Sequence, residues 1–438
     1  MSDAIPLPPR PSLEQYKNLA RGFRNACDSG SVAAVQSWAA EWLASLARLL
    51  GPVGPVGPVE DESWIGCEAR KVAQRFNQTR RHAPQCTLAQ AQIFLARLHG
   101  FASWARFSRH LQALARAASA DSQFEAAADA IIAGQLEALQ ALLHANPGLV
   151  RARSARQHRA TLLHYVAANG VEDFRQKTPA NIVAIARLLL DAGADVNAES
   201  LAYGGKATVL GLAATSCHPE AAGVQLALLE LLMERGAIVD GRVVHACLNN
   251  GRGAAAEFFA SRGAHLDLVG AAGVGRLEAV KLHFDAHGSL RPPATSKELD
   301  EAFAWACEFG RADVARFLLG RGIVVSGNPR HRGLHWAAYG GHPAIVKLLL
   351  ELGAPVDSIE PTFQGTPLAW ALYGWSGAGP STREEHFCET VELLARAGAR
   401  LDRTWFENGD AERGRAARKL RASSRMQAAL RGAMPAPL

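Results

Sequence analysis

No apolar run in this chain approaches the ~18 residues needed to cross a bilayer, and the opening Met1-Ser2-Asp3-Ala4-Ile5-Pro6 lacks the basic and apolar regions of a secretory signal. A cytoplasmic protein with no membrane span is therefore expected. No Cys-x-x-Cys pair occurs: Cys27, Cys67, Cys86, Cys217, Cys247, Cys307 and Cys388 are odd in number and widely spaced. Neither a zinc site nor a disulfide framework is signalled, and thiols in a reducing compartment fit better. Lysine is scarce, eight of 47 basic residues, and aromatics make up only 7%. With Ala and Leu abundant, the expected core is helix against helix, small residues allowing close approach. Paired carboxylates, a nucleophile beside a base and a dense ligand set are also missing. No catalytic residue, metal site or cofactor is expected.

What is present is length and apolar content. A chain of 438 residues, 48% hydrophobic, exceeds one ordinary core and implies two or more domains or an extended repeat array. Its net charge of +6 is unevenly placed. Residues 66–116 carry +8 and residues 409–432 carry +5, which leaves −7 for the remainder. The basicity belongs to the flanks.

Between those flanks a phrase Gly-Ala-x-x-Asp/Asn returns after Leu-rich stretches, at Gly193–Asn197, Gly236–Asp240, Gly263–Asp267, Gly353–Asp357 and Gly398–Asp402. Degenerate copies sit at Gly288 and Gly322, and successive glycines are 43, 27, 25, 34, 31 and 45 residues apart. In the unit from Leu334 to Asp357, Leu334-His335-Trp336-Ala337-Ala338 reads as a short first helix and Gly340-Gly341-His342-Pro343 as a break. Ala344–Leu352 then has the apolar spacing of a second helix, and Gly353 supplies a left-handed stop. One such pair cannot bury its apolar face alone, so units must stack.

These residues resemble the ankyrin repeat family, whose unit runs roughly T-P-L-H-x-A-A-x-x-G-H, then V-x-x-L-L, then G-A-x-x-N/D over ~33 residues. Thr366-Pro367-Leu368-Ala369-Trp370-Ala371 matches, and Thr161-Leu162-Leu163-His164-Tyr165-Val166-Ala167 lacks only the proline. Thr208–Ala214 keeps the frame without Pro or His, and the units over 241–325 are poorer. The resemblance implies an all-α fold, an ankyrin-repeat α-solenoid of paired antiparallel helices with turn fingers, preceded by a small helical N-terminal module. The expected divisions are residues 1–118 for that module, 119–408 for about eight repeats, and 409–438 for a basic capping helix and tail. Insertions between helices are expected at Gly170–Asn181, Ser216–Val224 and Trp375–Phe387, with Gly374–Ser381 loop-like in composition.

In the N-terminal module, Leu13–Ala26 and Val32–Leu50 read as helices, and three Gly-Pro-Val triplets at 51–59 read as a stiff linker or loop. Thr87 is a candidate helix cap, Gly100 a stop, and Ser103-Trp104-Ala105-Arg106-Phe107 the start of another helix. This segment is similar to a helical leader that often precedes ankyrin arrays in bacterial proteins, and its simplest role is to cover the first unit. A helix, a glycine turn and a helix also describe a DNA-reading motif. The Arg and apolar residues of the second helix, however, look packed rather than groove-facing.

The family resemblance implies a non-catalytic protein-interaction scaffold that holds its partner on first helices and turn fingers, and a monomer is expected. His164, His245 and His335 then brace neighbouring loops, and the aromatic column Tyr165, Trp305, Trp336 and Trp370 packs. Contact candidates by register are Asn249, Asn250, Glu308, Phe309, Tyr339 and Tyr373. Finger candidates are Tyr203, Lys206, Asn328, Arg330, Phe363 and Gln364. The alternative is nucleic-acid association through Arg70, Lys71, Arg80 and Arg81. Gly270–Arg276 resembles a phosphate loop superficially, but no strand precedes it and no Gly-Lys-Ser/Thr follows.

Overall fold

A computed structural model describes residues 4–28, 31–50, 53–54, 57–58, 63–80, 86–116, 118–323, 332–377, 383–401 and 411–431. They fall into two compact units, Met1–Asp240 and Gly241–Leu438.

The first unit opens with the helices Leu13–Asp28, Val32–Leu50, Ser63–Arg80, Leu88–Leu98 and Trp104–Leu114. Phe23 stacks on Phe94 at 4.8 Å and meets Trp38 and Phe76, so a few large rings knit these helices together. The helix Ser63–Arg80 was not foreseen. Its apolar positions Ala69, Val72, Ala73 and Phe76 keep helical spacing, but the charges at Arg70, Lys71 and Arg75 interleave with them. Thr87 caps as expected: its Oγ1 accepts from the Gln90 N–H at 3.3 Å, and Gln90 returns the bond to the Thr87 N–H at 2.8 Å. In the Gly-Pro-Val triplets, Val53–Gly54 pairs antiparallel with Gly57–Pro58. The chain therefore folds back here as a loop rather than running on as a stiff linker.

Three helix pairs complete the unit. They are Ala120–Ile132 with Leu136–Ala145, the 3-10 segment Leu162–Ala167 with Ile182–Asp191, and Val209–Thr215 with Gln225–Glu234. The leader helix Trp104–Leu114 packs on Ala120–Ile132, Phe107 and Leu111 being buried beneath it. His164 braces two loops: its Nδ1 accepts from the Thr161 N–H at 3.1 Å, and its Nε2–H donates to the Ala207 carbonyl at 3.2 Å.

A buried ionic cluster lies among these helices. Arg175 donates to Glu125 at 2.7 Å and to Asp129, while Arg156 pairs with Glu125 at 2.5 Å and with Glu172 at 2.9 Å. Burial alone would raise the Glu125 and Glu172 carboxyls, but the two guanidinium groups outweigh it and hold both below the usual carboxylate range.

The second unit holds five further pairs among the described residues. Val243–Asn249 precedes Gly253–Ser261, Leu268–Gly273 precedes Leu277–Lys281, and Ser296–Glu308 precedes Ala312–Leu319. Gly333–Gly340 then precedes Pro343–Glu351, and Pro367–Gly377 precedes Glu384–Arg396. Gly353 stops its helix in the left-handed region at φ +77°, where the Ala354 N–H closes on the Leu349 carbonyl at 3.0 Å. Ala271 and Ala272 lie in a first helix and Gly275 in the turn after it, so the Gly-rich stretch is repeat structure. The segment read as loop-like at Gly374 is instead helical through Gly377. The reason is packing: Trp375 is buried, the Lys419 ammonium sits 4.6 Å from its ring centroid, and that ammonium donates to the Trp375 carbonyl at 2.6 Å. Residues 378–381 of that segment lie outside the described residues. Ala411–Ala422 and Ser424–Ala429 cover the last pair, and Arg425 binds Glu385 at 2.5 Å.

Burial holds the His164 imidazole down to about 4. Its unfolded-state counterpart titrates near 6.5, so below that pH the unfolded chain takes up a proton that the folded chain refuses. The stability so stored is present above pH 6.5 and is lost as pH falls towards 4. Urea unfolding of the Met1–Asp240 unit between pH 7 and pH 4 should show a loss on the order of 3 kcal/mol from this residue. A His164→Asn variant should show a flatter profile; an unchanged profile counts against the assignment.

Candidate partner interface on the terminal helix pairs

The first helices Gly333–Gly340 and Pro367–Gly377 lie side by side in close contact. Glycines make this approach possible. A Cβ on Gly374 would run into the Tyr339 carbonyl, and one on Gly340 into the Glu308 carbonyl. Gly374→Ala should therefore force the two helices apart and cost the Gly241–Leu438 unit about 1–3 kcal/mol. Urea denaturation checks this; an unaltered midpoint would show that the contact is soft.

Along the seam stand aromatic rings in contact. Trp336 meets Trp370 at 4.8 Å with planes at 85°, and Tyr339 meets Trp336 at 6.0 Å and Trp370 at 6.1 Å. Tyr373 stacks on Tyr339 at 6.3 Å, and Phe363 meets Trp370 at 5.8 Å. Trp370 is buried, Trp336 and Tyr339 are half-buried, while Tyr373 is 40% and Phe363 64% exposed. The finger carrying Phe363 is built around buried Glu360. Its carboxylate accepts from the Thr362 N–H at 2.8 Å and the Phe363 N–H at 2.6 Å, and faces Arg332 at 3.2 Å. His335 ties the same finger down through its Nε2–H to the Ser358 carbonyl at 3.0 Å. The result is an exposed aromatic face whose backbone is held from beneath.

Three residues expected from register and finger position, Tyr339, Tyr373 and Phe363, thus come together in one patch. Trp336 joins them, whereas Tyr165, Trp305 and Trp370 are buried as packing residues. Phe309 is half-buried against Gly253, where a Cβ would lie 2.8 Å from its ring. Glu308 ends the preceding first helix, Ser296–Glu308; burial pushes its carboxyl up to about 7, and its carbonyl accepts from His342 Nε2–H at 2.7 Å. Asn249 and Asn250 are exposed at the end of their helix, Asn250 donating to the Ala246 carbonyl at 2.8 Å. His245 directs its Nε2 to a carboxylate, Asp267, at 2.7 Å, where His164 and His335 direct theirs to backbone carbonyls. Tyr203 belongs to the first unit, 67% exposed, with its hydroxyl donating to Asn169 at 2.5 Å. Asn328 and Arg330 lie outside the described residues.

Of the basic candidates, Arg70 and Lys71 are exposed on the helix Ser63–Arg80, and Lys71 is held by Glu68 at 2.6 Å. Arg80 ends that helix, but its side chain and all of Arg81 lie outside the described residues. Among the described residues no group of three or more His, Cys, Asp or Glu side chains could hold a metal ion, and no helix is long and apolar enough to cross a membrane.

Comparison with known proteins bears on the same stretch. A family model described as ankyrin repeats, in three copies, matches residues 268–360 and 303–404. No curated protein matches the chain. Among solved structures, the human ASB11 ankyrin repeat domain is similar at 21% sequence identity, covering 60% of this chain and 96% of that one, with a TM-score of 0.30. That score is too low to carry any argument about the fold. Ankyrin repeats generally mediate protein–protein interaction and are generally non-enzymatic. Residues 268–404, the stretch that carries the aromatic face, match the ankyrin-repeat family model.

Proposed function

We propose that the chain is a non-catalytic, cytoplasmic interaction scaffold that captures a protein partner as a monomer, on the aromatic face of its two terminal helix pairs. One observation carries this reading: Trp336, Tyr339 and Tyr373 are linked ring to ring, and Phe363 joins them through Trp370, leaving a partly exposed aromatic surface. Aromatic side chains with an apolar body and a polar edge are the usual anchors of protein interfaces. Asn249, Asn250, Glu308 and Phe309 continue the same register and would form the polar flank. Tyr203 would serve as a separate contact on the other unit.

The second reading, nucleic-acid association, draws on exposed Arg70 and on the charge of residues 66–116. The Glu68 carboxylate already occupies Lys71. Capture from lysate with and without nuclease separates the two readings. The scaffold retains its proteins after nuclease treatment, and their disappearance would transfer the function to the basic module.

A further inference from the structure

A cleft of about 670 Å³ lies between the helix Trp104–Leu114 and the hairpin joined by the Arg153–Thr161 bridge. Arginines form its walls. Arg106, Arg109 and Arg116 are spaced i, i+3 and i+10, and with Ala113 at i+7 they continue one helix face into the turn that follows. Ala155 and Arg159 face them from the hairpin. Arg106, Arg109 and Arg116 are exposed, while Arg159 is half-buried. The expectation that arginines of this helix pack is thus corrected: Phe107 and Leu111 take the packed face, and the arginines take the opposite one.

The charges here are not balanced. Among the described residues no carboxylate pairs with any of these four guanidinium groups. Arg109 and Arg159 donate only to the Ala105 and Ser154 carbonyls, at 3.4 and 2.9 Å. The one carboxylate in the cleft, Asp121, is bound by the buried His110 at 2.9 Å. By contrast, the buried arginines Arg156 and Arg175 are matched to Glu125 and Glu172. Arg159 is also held in the left-handed region at φ +52°, a conformation costing a side-chain-bearing residue about 1–3 kcal/mol. An arginine kept there, facing three others across a cleft, is an arrangement that an anion would relieve.

We propose that this cleft binds an oligophosphate, a run of contiguous phosphoryl groups. Guanidinium forks match phosphoryl oxygens two at a time. Arg106 and Arg116 stand at opposite ends of one wall, ten residues apart in sequence, and Arg159 stands on the other, so linked phosphoryl groups can engage guanidinium groups that a single phosphate would have to choose between. Inorganic tripolyphosphate and a nucleoside triphosphate share this chemistry.

Calorimetric titration of the full chain with tripolyphosphate at 0.15 M salt should give a dissociation constant on the order of 10 µM. A parallel titration with ATP distinguishes the sources. Equal affinity assigns the site to the phosphoryl chain alone, and tighter ATP binding adds a base contact; both support the proposal. The variant Arg106→Gln/Arg116→Gln should bind at least about tenfold more weakly with an unaltered melting temperature, because neither side chain has an ion-pair partner to lose. Arg159→Gly, which suits the left-handed backbone, should weaken binding without unfolding. Absence of binding at millimolar tripolyphosphate overturns the proposal, as does wild-type affinity in the double variant. So does tighter binding of a single-stranded oligonucleotide with a steep salt slope, which would make the cleft a nucleic-acid contact.

Discussion

Replacing Arg175 by methionine should destabilise the Met1–Asp240 unit by about 3–5 kcal/mol, the range seen when one partner of a buried ion pair is removed. Arg175 is buried and reaches Glu125, Asp129 and Glu172 together. Without it, two buried carboxylates share one guanidinium group, Arg156, with His158 beside Glu172 and His110 beside Glu125, and each must be protonated or stay poorly compensated. The acid response should change as well. In the intact cluster the Glu125 and Glu172 carboxyls lie below their ordinary range, so they add stability above about pH 4.5 that disappears as pH falls through their folded values. In the variant that acid-dependent contribution shrinks. Urea unfolding that follows the two units separately tests this. A change under about 1 kcal/mol would show the cluster to be as weak as a surface pair.

The second large effect is expected at the aromatic face. Phe363→Ala should weaken capture of the partner by about 10- to 100-fold, since truncating an anchor ring costs roughly 2 kcal/mol or more. Phe363 is 64% exposed, so this variant should keep the wild-type melting temperature, and the loss is then assignable to binding. Tyr373→Ala should act in the same direction. Tyr339→Ala also removes packing against Trp336 and Trp370, so it is informative only beside those two. Titration of the captured protein against each purified variant provides the numbers. Wild-type affinity in both Phe363→Ala and Tyr373→Ala would remove the face from the account.

How much of this was legible in the sequence depended on distance along the chain. Leu334–Asp357 could be framed because one short window holds the Leu-His phrase, the glycine break and the Gly-Ala stop. Val243–Asn249 keeps only the histidine of that phrase, His245, and Leu268–Gly273 lacks it altogether, so their helices show in the sequence mainly as apolar patterns. Tyr339 and Tyr373 follow from register, whereas Trp336 occupies a position that the family resemblance implies to be core; here its ring stays half-buried. The cluster of Glu125, Arg156 and Arg175 could not be read, because its partners are 31 and 50 residues apart and belong to different helices and loops. The arginine cleft was half legible. Its helix wall has a readable spacing, but Arg159 stands more than 40 residues further on, across a hairpin that only the fold closes.

The central claim is that a protein partner sits on the aromatic face of the terminal pairs. Hydrogen exchange of the full chain, alone and with the captured partner, tests it most directly. The account expects slowed exchange in Gly333–Gly340, in the finger at 358–366 and in Pro367–Gly377, with the helices of 63–116 unaffected. Protection confined to 63–116, with no change at the terminal pairs, would contradict it.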